Sequence, residues 1–352
     1  MRHLELVDLR NIESAKLDLA PGLNLLVGRN AQGKTSVLEG VGLVSRGRSF
    51  RNDDARAAVR RGTVRLHARA TVSGSVRELG LEFEIGAAGR GFRVDGREVP
   101  AREYQGRLEV VVYSTERLRV VRGSMRDRRQ FLDRGASALW PSYRQLLREF
   151  ERVLAQRNAA LAGRARDLAA WSERFAELGG ALRWRRALFA RRLTAGLSTG
   201  FRPEGERYEV RLGEEPEDES AAQRELGRAL DAKRPAELAA GRSLVGPHRD
   251  PVALLLNGDE AGPTASAGQA RSLLLALALA SLEIFREERG EAAVALLDDL
   301  DSELDEERAL LVCRQVAARG QALVTTAHPG WADRLRSEAQ LFQVEAGAVR
   351  AA

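Results

Sequence analysis

The chain has 352 residues, 44% hydrophobic and 30% charged, with 56 Lys+Arg against 50 Asp+Glu and a formal net charge of +6. That length and apolar content support a sizeable core in one large or two moderate domains, and exclude a disordered or collagen-like chain. Cys313 is the single cysteine, no apolar run opens the chain, and the longest uncharged apolar stretch (between Arg271 and Glu283) falls short of the ~18–20 residues that span a bilayer, so the expectation is a soluble cytoplasmic protein without disulfide, signal peptide or membrane partner.

In chain order, Leu4 and Leu6 alternate with polar or charged neighbours, and 23–27 is a short apolar run of the kind that makes a buried strand. It opens directly into Gly28-Arg29-Asn30-Ala31-Gln32-Gly33-Lys34-Thr35, followed by a helical stretch over 36–43. Alternating segments at 63–72, 78–85 and 91–94, separated by glycine, predict antiparallel strands, and 108–113 predicts another. From 127 to 198 the spacing becomes helical, with Tyr143, Leu147, Phe150 and Leu154 in one series and Leu168, Trp171, Phe175, Leu178 and Leu182 in a second. Gly179-Gly180 is expected to break or bend that run. The acidic segment 213–220 reads as a solvated loop, and 252–256 as a strand entering an Asn257-Gly258 turn. A helix over 269–287, a very apolar strand over 292–297, a helix over 306–319 and a strand over 322–326 complete the pattern. With α/β material at both ends, the simplest fold joins the ends into one sheet domain and inserts the helical block as an arm.

The segment from Gly28 to Thr35 fits G-x-x-x-x-G-K-T without a mismatch and sits between a strand and a helix. Its glycines let several backbone N–H groups converge on one phosphate cluster, and the helix N-terminus adds positive potential. Lys16, Lys34 and Lys233 are the only lysines, so Lys34 stands out as a compact ammonium where arginine is the habit. It is the candidate β/γ-phosphate contact, Thr35 the candidate Mg²⁺ hydroxyl, and the loop with Ser36 the candidate nucleotide cradle. Far along the chain an apolar strand ends in Asp298-Asp299. Asp298 is the candidate to hold Mg²⁺ through water, and Asp299 to orient or activate the attacking water. Thr264-Ala265-Ser266-Ala267-Gly268-Gln269 opens a long apolar helix, a second anion-binding pattern. Ser302-Glu303-Leu304-Asp305 and then Thr325-Thr326-Ala327-His328 follow in that order, and no His/Cys cluster supports a zinc site.

This order of elements resembles that of ABC-type ATPases: phosphate loop, signature loop (Ser266, Gly268, Gln269), carboxylate strand, D-loop and switch histidine (His328). More narrowly the chain resembles the RecF family, the SMC-like ATPases of bacterial recombinational repair. Leu9-Arg10-Asn11-Ile12, Gly47-Arg48-Ser49-Phe50-Arg51, Arg128-Arg129-Gln130-Phe131-Leu132-Asp133 and Val245-Gly246-Pro247-His248-Arg249-Asp250 carry that likeness, and together with the nucleotide motifs they cover nearly the whole chain. Ala31 stands where the family has glycine, Thr115 and Met125 where prolines are usual, and the Q-loop falls near Tyr113-Ser114-Thr115-Glu116.

The resemblance implies an ATPase head of residues 1–120 and 241–352, with the signature helix 266–288 at the lobe boundary, and a mainly helical lobe over 121–240. It implies ATP and Mg²⁺ as cofactors, Arg10 and Asn11 near adenine or ribose, and His328 on the γ-phosphate. It also implies a head-to-tail homodimer held by two ATPs, each closed by the partner's signature loop. Asp299, one methylene shorter than the glutamate of many ABC proteins, implies slow turnover. DNA at gaps or junctions, together with RecO and RecR in helping RecA to load, are the implied partners.

Arginine clusters supply candidate DNA-phosphate contacts: Arg46, Arg48 and Arg51; Arg56, Arg60 and Arg61; Arg122, Arg126, Arg128 and Arg129; and Arg183, Arg185, Arg186, Arg191 and Arg192. The competing reading of each is a solvated face or an internal salt bridge. His248 stands open between a structural turn and a site near nucleotide or DNA. Two other functions share the nucleotide motifs: an SMC-like clamp that tethers DNA, which the short helical block disfavours, and a transporter's nucleotide-binding subunit.

Overall fold

The N-terminal alternation becomes β1 (His3–Leu9) and β2 (Ile12–Asp18), and the apolar run becomes β3 (Leu23–Val27), buried at all its residues. The computed structural model describes residues 1–52, 54–73, 77–163, 166–290, 292–300, 304 and 306–352. The chain continues through α1 (Lys34–Arg46), β4 (Leu66–Ser73), β5 (Glu78–Gly86), β6 (Gly89–Val94), β7 (Arg97–Glu98), α2 (Ala101–Tyr104) and β8 (Val110–Tyr113). The helical block holds α3 (Arg119–Arg122), α4 (Met125–Leu139), α5 (Pro141–Leu161) and α6 (Leu168–Thr199), then β9 (Tyr208–Leu212) and α7 (Glu219–Ala240). After these come β10 (Val252–Leu256), β11 (Asp259–Glu260), α8 (Ala261–Thr264), α9 (Ala267–Arg289), β12 (Val294–Leu297) and α10 (Glu306–Ala317). The chain closes with β13 (Ala322–Thr326), α11 (Pro329–Leu335), β14 (Ala339–Glu345) and β15 (Ala348–Ala351).

Two units divide the chain, Met1–Leu118 with Phe285–Ala352, and Arg119–Ile284. In the first, an antiparallel sheet of order β2-β1-β4-β5-β6-β7 and a sheet of order β15-β14-β3-β13-β12-β8 enclose α1. The second sheet is parallel from β14 to β8, with β3 between β13 and β14, so an N-terminal strand lies inside a sheet otherwise built from later residues. Leu6 and Leu9 of the first sheet and Leu296 and Leu323 of the second share one buried core with Val37, Val41 and Val44 of α1. Gly40 is the point of closest approach, since a Cβ there would lie 2.4 Å from Leu6 Cδ2.

In the second unit α5, α6 and α7 pack side by side, and β9, β10 and β11 form a small antiparallel sheet. The boundary expected at residue 240 falls instead at Ile284, inside α9. The reason is local pairing: Val252 to Leu256 hydrogen-bond in register with Leu212 to Tyr208, which ties the segment after 241 to the helical block. Gly179-Gly180 does not break α6. A Cβ on Gly179 would meet Leu226 Cδ2 at 2.5 Å and one on Gly180 would meet Gln223 Cα at 2.6 Å, so the glycines let α7 approach closely. Within α9 an 18-residue window passes the length and hydropathy test for a membrane span, and 78% of it is buried in the fold.

Candidate functional site

The phosphate loop is the turn between β3 and α1. Its backbone conformation explains its composition: Gly33 caps α1 at φ 116°, in the left-handed region, and Gly28 passes so close to Val344 that a Cβ would lie 2.2 Å from the Val344 carbonyl oxygen. Ala31 also sits at φ 65°, which accounts for a preference for glycine at that position. The C-terminal hairpin fastens the loop, because Ala346 N–H donates to Gln32 Oε1 at 2.7 Å and Gly347 N–H to the Gln32 carbonyl at 2.9 Å. Lys34, only 6% exposed, lies across the loop and donates from Nζ to the carbonyls of Gly28 (2.7 Å) and Arg29 (3.1 Å).

Strand register brings the second motif to the first. Because β13 lies between β3 and β12, the ends of all three strands reach the same edge of the sheet. Thr35 Oγ1 donates to Asp298 Oδ1 at 3.0 Å across 263 residues of sequence, and Thr325 Oγ1 donates to the same oxygen at 2.8 Å. Thr325 Oγ1 also accepts the Asp299 N–H at 2.8 Å, so one hydroxyl fixes both acids. Burial raises the Asp298 pKa to about 6; the hydroxyls of Thr325 and Thr35 pull it down, and the neighbouring charges of Glu116 and Asp299 push it up. Asp299 adopts φ 56° and lines the cavity beside the phosphate loop.

That cavity, about 420 Å³, is lined by Asn30, Ala31, Gly33, Lys34, Thr35 and Ser36 of the loop, by Arg10, Asn11 and Arg51, and by Asp299. Asn11 bridges the loop, donating from Nδ2 to the Gln32 carbonyl at 3.0 Å and accepting from Ser36 Oγ at 3.3 Å. Arg10 is held in bidentate fashion by Glu39 at 2.8 and 2.9 Å. Glu39 is fully buried in α1 and also takes Ser49 Oγ and, at 3.7 Å, Arg51. Glu39, the hold of Thr325 on the two acids and the cavity role of Arg51 were not read from the sequence. A carboxylate inside the apolar helical run 37–44 was the one available signal.

Gly28, Arg29 and Gln32 shape or anchor the loop rather than line the cavity, and Asp298 lies at its foot against Thr35. His328 is exposed at the start of α11, outside the cavity lining. Ser266, Gly268 and Gln269 open α9 in the other unit. There Gln269 Oε1 accepts the Ser266 N–H at 2.9 Å and Ser266 Oγ accepts the Gln269 N–H at 3.2 Å, a reciprocal capping box on an exposed helix start. Arg122 Nη2 steadies the preceding loop by donating to the Ala265 carbonyl at 3.0 Å. Of the D-loop, Ser302, Glu303 and Asp305 lie outside the described residues.

Several arginines proposed for DNA are internal. Arg128 is buried and donates to the carbonyls of Val252 (2.7 Å) and Gly123 (3.1 Å), and Arg129 donates to the Asp250 carbonyl at 3.0 Å. Arg183 forks onto Asp250 at 2.7 and 2.8 Å, and Arg186 binds Asp133 and the Pro247 carbonyl. They join the 128–133 and 245–250 segments, which lie far apart in sequence. His248 packs against Phe150 and Phe175, and burial lowers its pKa to about 4, so it is a neutral, half-buried histidine.

Comparison with known proteins shows the family. A family model described as RecF/RecN/SMC N terminal domain matches residues 1–350. The DNA replication and repair protein RecF of Synechococcus sp. (strain JA-3-3Ab) is 36% identical, with 99% of this chain and 97% of that protein aligned. The chain belongs to the RecF family. RecF of Gloeobacter violaceus is likewise 36% identical, over 93% of this chain and 92% of its own length. A solved structure of the recombination mediator protein RecF with ATP, from the RecFOR pathway, superposes at TM-score 0.89 with 28% identity, covering 100% of this chain and 98% of that one. An Smc head solved with the C-winged helix domain of ScpA shares the fold at TM-score 0.56 and 14% identity. This RecF-family chain is therefore an ABC-type ATPase with an SMC-like head formed by both chain ends.

Proposed function

We propose that this protein binds ATP and Mg²⁺ in the cavity above Lys34, dimerises head to tail on DNA in the ATP state, and hydrolyses ATP slowly to release it. The observation that carries the proposal is the meeting of Thr35 Oγ1 and Asp298 Oδ1 at 3.0 Å beside the phosphate loop. A hydroxyl and a carboxylate are hard oxygen donors suited to Mg²⁺, and Glu116 and Asp299 add negative charge that a divalent cation would offset. Among the described residues no group of three or more His, Cys, Asp or Glu is placed to hold a metal alone, which suits an ion completed by nucleotide oxygens. Bound Mg²⁺ would neutralise charge on the β- and γ-phosphates.

Lys34 would exchange its contacts with Gly28 and Arg29 for phosphate oxygens. Asp299, fixed through its N–H, would orient water towards the γ-phosphate, and its short side chain supports slow turnover. The exposed capping box at Ser266 supports a signature that closes a partner's ATP, with His328 as a γ-phosphate contact. DNA, RecO and RecR as partners rest on membership of the RecF family.

The test is the solution mass without nucleotide, with ADP and with ATP, for the native chain and for Ser266→Arg. An ATP-dependent dimer, lost in Ser266→Arg while ATP binding persists, is the expected result. A monomer under every condition, with DNA present, overturns the dimer mechanism.

A further inference from the structure

Four exposed arginines lie along one end of the antiparallel sheet. β1 ends there at Leu9, β4 begins at Leu66, β5 ends at Gly86 and β6 begins at Gly89. The segment before β4 follows this end closely: Val59 bridges Leu9, Arg60 N–H donates to the Asp8 carbonyl at 2.9 Å, and a Cβ on Gly86 would lie 3.5 Å from Arg65 Cβ. Arg56, Arg61 and Arg65 belong to this segment, and Arg90 lies opposite Ile85 at the start of β6. All four are exposed, and none makes a side-chain hydrogen bond or ion pair with the described residues. The acids nearby are already engaged, since Arg60 takes Asp8 and Glu13 and Asp54 accepts the Arg56 N–H. Between the arginines the turn Gly86-Ala87-Ala88-Gly89 is small and uncharged.

We propose that this sheet end is the surface that contacts DNA phosphates. The inference rests on the DNA-binding reading above and deepens it by naming the site. Unpaired guanidinium groups around a low, uncharged surface suit a polyanion that is gripped by its backbone without base reading. The internal use of Arg128, Arg129, Arg183 and Arg186 removes those arginines as competing phosphate contacts. The surface also connects to the nucleotide cavity, because Arg10 donates its N–H to the Ala58 carbonyl at 2.8 Å and its guanidinium to the carbonyl of Ala57, the residue next to Arg56. DNA held here can thus bear on an arginine that lines the ATP site.

The test measures binding of a fluorescent duplex to the full chain with ATP across a salt series. It uses the quadruple variant Arg56→Ser/Arg61→Ser/Arg65→Ser/Arg90→Ser and a control, Arg148→Ser/Arg152→Ser/Arg224→Ser/Arg228→Ser, that removes equal charge from α5 and α7. Loss of four phosphate contacts lowers the slope of log affinity against log salt by about 3–4, with an affinity loss of roughly tenfold or more, and the control moves far less. Basal ATP turnover is unchanged in the quadruple variant, and its stimulation by DNA is lost. If the native chain binds duplex and both variants weaken alike, or only the control weakens, this surface is wrong and the DNA-binding reading stands. If the native chain fails to bind duplex with ATP, the DNA-binding reading itself falls and takes the surface with it.

Discussion

Replacing Asp298 by Asn should stabilise the nucleotide-free protein while removing its response to Mg²⁺-ATP. Asp298 is 5% exposed, and burial raises its pKa from 3.8 to about 6. A folded-state pKa above the unfolded one means that the folded protein holds the proton more tightly. Stability from this group is therefore fully present below pH 3.8 and is lost as pH rises through about 6. At pH 8 the full penalty applies, roughly 3 kcal/mol at 1.36 kcal/mol per pKa unit. Asn carries no charge and keeps a carbonyl oxygen for Thr35 and Thr325. In EDTA at pH 8 the variant should melt about 5 °C above the native chain, a gain that shrinks by about half at pH 5. With Mg²⁺-ATP the order reverses: ligand at a thousand times its Kd adds about 4.1 kcal/mol to the native protein, and the variant lacks the carboxylate proposed to hold the metal. Thermal melts at two pH values, with and without Mg²⁺-ATP, decide the matter. A variant that melts at or below the native chain in EDTA at pH 8 refutes the argument that this carboxylate is buried against its preference.

Two glycine substitutions in the helical arm should move stability in opposite directions although helix propensity favours alanine at both. Gly180→Ala drives a Cβ to 2.6 Å from Gln223 Cα and should cost about 1–3 kcal/mol, whereas Gly227→Ala has nothing within 4 Å and should gain about 0.5–1 kcal/mol, both read from urea denaturation. Gly347→Ala, at φ 85° with a Cβ 2.1 Å from the Asn11 carbonyl oxygen, should push the C-terminal hairpin off the phosphate loop; a fluorescent ATP analogue should bind more weakly, and unchanged affinity would show that the hairpin does not brace the loop. His248 has its pKa lowered to about 4 by burial, so its stabilising contribution is complete above about pH 6.5 and is lost as pH falls towards 4. Urea midpoints should fall across that window in the native chain and less in His248→Asn; parallel profiles would exclude a buried neutral imidazole.

The phosphate loop was legible because its chemistry is local: eight consecutive residues supply the turn, the ammonium and the hydroxyl, and β3 and α1 on either side follow from apolar runs. The Asp298-Asp299 strand was legible for the same reason, since a fully buried parallel strand must be almost wholly apolar and its polar end marks the sheet edge. Single residues whose partners are distant in sequence were not legible. Glu39 looks like an interruption of an apolar helix until Arg10, Ser49 and Arg51 are brought around it. Gly179-Gly180 carries the local signal of a helix break, and only the neighbouring α7 shows that the missing side chains serve packing. The arginines divide in the same way, because local composition cannot distinguish one that forks onto Asp250 from one left facing solvent. Sequence determined which segments could be strand, helix and phosphate cradle, for those properties depend on neighbours a few residues apart. Only the tertiary structure decided which charges face each other, because hydrogen bonds and ion pairs act over a few ångströms of space whatever the separation along the chain, 263 residues in the case of Thr35 and Asp298.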